Sequence, residues 1–123
     1  MKTLKIGIAS YDDMKRRTID IAAGRVRAGR DDPTVWFTSL DSVAKVLSDR
    51  NRALLELIAQ KRPASLAELE AMSGRAKSNL SRTLKTLERY GLVVLETGPG
   101  GRLVPTVPFD RVAFQVPLLN SAA

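Results

Sequence analysis

The sequence contains no cysteine and no histidine. The first absence excludes disulfides, thiolate nucleophiles and cysteine metal sites. The second removes imidazole, a common metal ligand and the usual general base near neutral pH. No cofactor and no metal are expected. Catalysis would have to rest on carboxylates, lysine or serine with no visible orienting partner, so the chain reads as a binding protein and not an enzyme. Aromatic residues are 5 %, which argues against a stacking platform for single-stranded bases. Apolar runs are short, as in Leu92-Val93-Val94-Leu95, and a bilayer span needs roughly 20 residues. The opening Met1-Lys2-Thr3-Leu4-Lys5 is broken by Lys5 and soon followed by Asp12-Asp13, so no signal peptide is expected. The expectation is a cytoplasmic, nucleoid-associated protein without a membrane partner.

What the sequence does hold is positive charge. Its 123 residues carry 20 Lys+Arg against 13 Asp+Glu, a net of +7. With 44 % hydrophobic and 27 % charged residues the composition is globular. The length fits one domain, or one domain with a short extension. Such an excess on a small chain points to a polyanionic partner. It is unevenly spread. Residues 75–90 hold Arg75, Lys77, Arg82, Lys85 and Arg89 against Glu88 alone, a net of +4. Residues 1–33 carry +3, and the remaining segments balance.

Near the N-terminus Leu4, Ile6 and Ile8 alternate with Lys5, Gly7 and Ala9, the pattern of a half-buried strand. Ser10, with Asp13 three residues on, predicts a helix start. That helix should run to about Ala23 or Arg27, with Met14, Ile19, Ile21 and Ala22 as its apolar positions. A charged turn through Gly29, Asp31-Asp32 and Pro33 leads to a short strand at Val35-Trp36-Phe37. Thr38 or Ser39 can cap a helix holding Leu40, Val43, Val46 and Leu47. Ser48-Asp49 opens another with Leu54, Leu57 and Ile58, which Pro63 stops. The tail after Phe109 is ambiguous, although Val112, Phe114 and Val116 alternate like a strand.

The central segment is the most informative. Ser65-Leu66-Ala67-Glu68 is a capping box, opening a short helix with Leu66, Leu69 and Met72 inward. Ser73-Gly74-Arg75-Ala76 is a turn, with Gly74 where a left-handed backbone is needed. A second helix should run from about Lys77 to Tyr90 with Leu80, Leu84 and Leu87 as its inward stripe, and Gly91 ends it. Leu92 to Thr97 and Arg102 to Val107 are two strands around the turn Gly98-Pro99-Gly100-Gly101. That glycine turn lacks the Gly-Lys-Ser/Thr ending of a phosphate loop. Two short helices, a tight turn and a hairpin make a winged helix–turn–helix. The expected fold is therefore α+β: an N-terminal β-α-β extension over residues 1–38, a winged helix–turn–helix over 39–108, and a C-terminal strand and tail over 109–123.

The outward face of the second helix predicts a major-groove contact. Ser78, Arg82, Lys85 and Arg89 lie opposite the leucine stripe, with Ser81 flanking and Lys77 near the start. Arg82 and Lys77 suit guanine; Ser78 or Asn79 suits adenine or either base. Arg75, Lys85 and Arg89 suit phosphates, which orient without specifying. Arg102, at the hairpin tip, suits the minor groove or the backbone. An amphipathic helix with a solvated basic face is the plain alternative, but it leaves the turn and the hairpin unexplained.

Val43-Ala44-Lys45-Val46-Leu47-Ser48-Asp49-Arg50-Asn51-Arg52 resembles the opening helices of ArsR and MarR regulators. Ser65 to Val93, including Ser78-Asn79-Leu80-Ser81-Arg82-Thr83-Leu84-Lys85 and Tyr90-Gly91-Leu92-Val93, resembles their recognition unit and first wing strand. Together these cover about half the chain. The resemblance implies a homodimeric prokaryotic repressor on double-stranded DNA. Ala76 departs from the family's usual capping Ser or Thr, and the lack of Cys and His excludes ArsR metal sensing. Ile8 to Met14 and Val35 to Ser39 are similar to a group of prokaryotic DNA-binding proteins that act as antitoxins beside TumE-type toxins. That similarity implies a second partner, a cognate toxin. Residues 1–38 then form either a dimer interface or a toxin-binding surface.

Overall fold

The computed structural model describes residues 2–25 and 33–118. Gly29, Asp31-Asp32 and the possible extension of the first helix to Arg27 lie outside the described residues. The protein is of mixed α+β class, with five helices and two small sheets among the described residues. It divides into two compact units. One comprises the described residues up to Ala44 together with those from Arg111 onward; the other is Lys45–Asp110. Among the described residues no helix is long and apolar enough to cross a membrane.

The first unit is built on a three-stranded parallel sheet in the order β2-β1-β5, from β1 (Thr3–Ile8), β2 (Val35–Phe37) and β5 (Arg111–Gln115). Within the ambiguous tail Arg111–Gln115 is thus a strand, and it pairs with β1. The register sets Ile6 beside Val35 and Phe114, and Leu4 beside Val112, on one face. Leu4, Ile6 and Phe37 are buried there. The other face is covered too. Gly7 pairs with Trp36, and a Cβ at Gly7 would stand 2.5 Å from Trp36 Cζ3 and 2.8 Å from Pro33 Cγ. The strand is therefore covered on both faces at Gly7, because the indole lies where a side chain would.

Helix α1 (Tyr11–Ala22) connects β1 to β2. Ser10 caps it by accepting from the Asp13 N–H at 3.1 Å, as expected. It reaches the Trp36 face through Arg17, whose guanidinium lies 5.7 Å from the indole centroid. None of its residues is buried. Ile19 and Ile21, expected as core positions, are both exposed. Two residues apart, they lie about 200° apart around the helix axis and cannot share one buried face. Helix α2 (Leu40–Val46) starts at Ser39, whose hydroxyl accepts from the Ser42 N–H, and it buries Val43 and Val46 while its first residue, Leu40, is exposed.

The second unit stacks α3 (Asp49–Lys61), α4 (Leu66–Ser73) and α5 (Lys77–Arg89), followed by the antiparallel hairpin of β3 (Val94–Thr97) and β4 (Leu103–Thr106). Helix α3 is capped by Ser48, buries Leu54 and Ile58, and ends at Arg62 before buried Pro63. Helix α4 is capped by Ser65, which accepts from the Glu68 N–H. The Glu68 carboxylate reaches back one residue further than a capping box requires, accepting from the Ala64 N–H at 2.7 Å. Leu69 is fully buried, Leu66 half-buried and Met72 exposed. The i, i+3, i+6 spacing explains this, since each step drifts about 60° off one line and carries Met72 out of the core. Gly74 closes α4 with φ +71°, and its N–H donates to the Glu70 carbonyl.

A side chain at Gly7 has no room against Trp36. Gly7→Ala is expected to destabilise the first unit by about 1–3 kcal/mol through overpacking. In a Trp36→Leu background the same change should cost less. Chemical unfolding followed by circular dichroism measures both; an equal cost in the two backgrounds would exclude the indole as the cause.

Candidate nucleic-acid interface

Helix α5 is amphipathic because its leucines recur at i, i+4 and i+7. Leu80, Leu84 and Leu87 are all essentially inaccessible and pack toward α4. Its end is fixed with equal definition. The Gly91 N–H donates to the Glu88 carbonyl and the Leu92 N–H to the Leu87 carbonyl, the two bonds of a Schellman motif. Leu92 and Leu87 are both buried, supplying the hydrophobic contact of that motif. The chain then enters β3 in a set direction, with Val93 also buried.

Burying that stripe turns Ser78, Arg82, Lys85 and Arg89 outward, Lys77 stands at the N-terminal end of the helix, and all five are exposed. Ser81 flanks them, half-buried. Among the described residues none of the four cations has an ion-pair partner. Glu88 is exposed on the flank near Ser81. The N-terminus of α5 adds to the positive potential. Each of the other helices has an acid in its first turn; α5 has none, and Ala76 offers no side-chain cap. The free N–H groups and the positive dipole end are left uncompensated beside Lys77.

Arg102 is exposed just after the 3-10 turn Pro99–Gly101 that joins β3 to β4. Its backbone carbonyl accepts from the Gly98 N–H at 2.7 Å, which closes the hairpin.

Arg75 and Asn79 are placed elsewhere. Arg75 is half-buried, and its Nε–H donates to Asn79 Oδ1 at 2.9 Å. Its Nη2 donates to Thr83 Oγ1 at 3.2 Å and to Asn51 Oδ1 at 3.5 Å. Arg75 therefore does not project to solvent as the sequence suggested, and the acceptor atom of Asn79 is engaged within the protein. Burial, and secondarily the charge of Arg50, lowers the Arg75 pKa below the ordinary arginine value. Three residues of this arrangement escaped the sequence reading: Arg50, Asn51 and Thr83. Only Asn79 and Thr83, four apart on one flank of α5, left a trace in the spacing.

The fold and the basic helix define a small α+β protein with an exposed cationic face on α5. A family model, HVO_A0114, matches residues 46–114, more than half of the chain, and the chain belongs to that family. The match spans the whole of α3, α4, α5 and the hairpin and ends within β5. No curated protein and no solved structure matches the chain.

The two faces of α5 should respond oppositely to truncation. Leu84→Ala is expected to cost about 2–5 kcal/mol of stability. Arg82→Ala and Lys85→Ala, both exposed and unpaired, should each stay within about 0.5 kcal/mol. Thermal unfolding of the three variants decides; a large loss for Lys85→Ala would place that side chain in the packing instead.

Proposed function

We propose that the protein is a sequence-specific regulator that binds double-stranded DNA as a homodimer and represses transcription. The observation that carries this reading is the exposed face of α5, where Arg82, Lys85 and Arg89 lie opposite a buried leucine stripe and Lys77 stands at the N-terminal end, all four without an ion-pair partner among the described residues. In this reading the second unit is a winged helix–turn–helix. α4 and α5 form the helix pair, Gly74 lies in its turn, and β3–β4 is the wing. A helix with side chains is about 10–12 Å across, which matches the major groove. Arg82 and Lys77 donate to base edges, Ser78 and Ser81 add adaptable contacts, and Lys85 and Arg89 hold phosphates. Arg102 on the wing touches the adjacent backbone or minor groove. Two copies related by a two-fold axis then read the two halves of a palindrome.

The test begins with duplexes selected by the protein from a random library. Arg82→Ala should reduce discrimination between a selected and a mixed-sequence duplex by about 1–3 kcal/mol. Lys85→Ala should weaken all duplexes nearly evenly and flatten the salt dependence by about one unit. Unchanged specific binding after Lys77, Arg82 and Lys85 are replaced together would sink the proposal.

A second reading concerns the first unit and is compatible with the first. We propose that the protein also acts as an antitoxin, neutralising a toxin by direct binding and repressing its own operon. What favours it is apolar surface that the unit does not bury. Tyr11 is 71 % exposed, Ile19 50 %, Phe114 47 % and Leu118 94 %. A second copy of the chain is the other candidate for that surface. Ile19→Lys combined with Phe114→Lys should abolish co-purification with the product of the adjacent gene while leaving DNA binding intact. If only the dimer is lost, the surface is an interface between copies.

A further inference from the structure

Arg75 lies in the turn before α5, and its side chain spans two helices. Nε and Nη2 donate to Asn79 and Thr83 on α5, and Nη2 also reaches Asn51 in the first turn of α3. Asn51 is itself fixed on both sides. Its backbone N–H donates to Ser48 Oγ at 3.2 Å, and its side-chain amide donates to the Val46 carbonyl at 3.1 Å. The amide nitrogen faces a carbonyl, so the oxygen is the atom left for the guanidinium. The remaining nitrogen, Nη1, is buried and has no hydrogen-bond partner among the described residues.

An arginine that holds a phosphate presents its planar fork to solvent. This fork is turned inward and occupied by three neutral acceptors. It also engages α5, whose N-terminus has neither a side-chain cap nor an acid in its first turn. We infer that Arg75 is a positioning residue: it clamps the start of α5 to α3 and so sets the direction in which Lys77, Ser78 and Arg82 project. The functional consequence rests on the DNA-binding reading; the clamp itself does not. Lysine cannot replace it, because a single ammonium cannot span acceptors on two helices in the plane that a guanidinium provides.

The test uses the full chain, a duplex selected from a random library by the unaltered protein, and a mixed-sequence duplex of equal length. Arg75→Lys and Arg75→Met should both lower affinity for the selected duplex on the order of ten-fold, the fold-change of one charge-assisted hydrogen bond. Both should reduce discrimination between the two duplexes and leave the salt slope unchanged. Thr83→Val, which removes no charge, should act in the same direction. Lys85→Ala, run beside them, should flatten the slope by about one unit. Unfolding midpoints of Arg75→Met, Asn51→Ala and the double variant should be non-additive. If Arg75→Lys binds as the unaltered protein does while Arg75→Met flattens the slope, Arg75 is a phosphate contact and the inference is overturned. Additive midpoints overturn it as well, with or without DNA. A protein that selects no duplex refutes the DNA-binding reading, and the unfolding cycle still decides the clamp.

Discussion

Burial of Leu80, Leu84 and Leu87 sets the orientation of everything around α5. Each fully buried leucine contributes about 1.5–3 kcal/mol. Against this stand the features that weaken α5 as a helix. A missing N-cap costs about 0.5–2 kcal/mol. A cation near the positive end of the dipole costs about 0.3–1 kcal/mol. The leucine stripe outweighs both, so α5 forms despite its uncapped N-terminus and its basic outer face. The same stripe fixes the exit. Leu87 is at once the last leucine of the stripe and the residue whose carbonyl accepts from Leu92, so helix packing and hairpin direction are set at one point.

Arg17 and Arg25 of the first unit contrast with the outward cations of α5. Arg17 stands over Trp36, and Arg25 pairs with Asp20 at 3.0 Å. Those cations are engaged within the protein. On α5 the outward cations have no such engagement among the described residues, although Glu88 is within the same helix. An exposed ion pair is worth little in stability, with a median of about 0–1 kcal/mol. Leaving α5 unpaired therefore costs little and leaves its positive potential uncompensated. Of the net charge of +7, a net of +4 falls in residues 75–90.

Local chemistry was legible in the sequence, and distant pairing was not. Ser10, Ser48 and Ser65 act as the caps their positions suggested. Leu80, Leu84 and Leu87 follow the period of the helix and are buried together. Both readings depend only on neighbours within one turn. The partnership of β1 with β5 joins the two ends of the described chain, and no periodicity encodes it. Gly7 is buried because a tryptophan 29 positions later lies over it, so the alternation of β1 alone suggested one open face. Arg75 shows the same limit within the candidate site. Its charge was visible, but Asn51, which turns it inward, lies 24 residues earlier.

The acceptors around Arg75 also bear on the surface it adjoins. A carboxylate at position 51, 79 or 83 would hold the guanidinium more strongly than an amide or a hydroxyl does. It would also set a negative charge beside the first turns of α5, within the roughly 10 Å over which charges act at ordinary ionic strength. The attraction of α5 for an anion would then be partly cancelled at its source. Asn51, Asn79 and Thr83 hold the same fork without adding charge. With this neutral clamp Nη1 has no partner among the described residues, and burial, then the charge of Arg50, disfavours the charged state of Arg75. That cost is intelligible if the region is shaped for a positive surface as well as for stability. The same residues then fix the geometry of α5 and preserve its field.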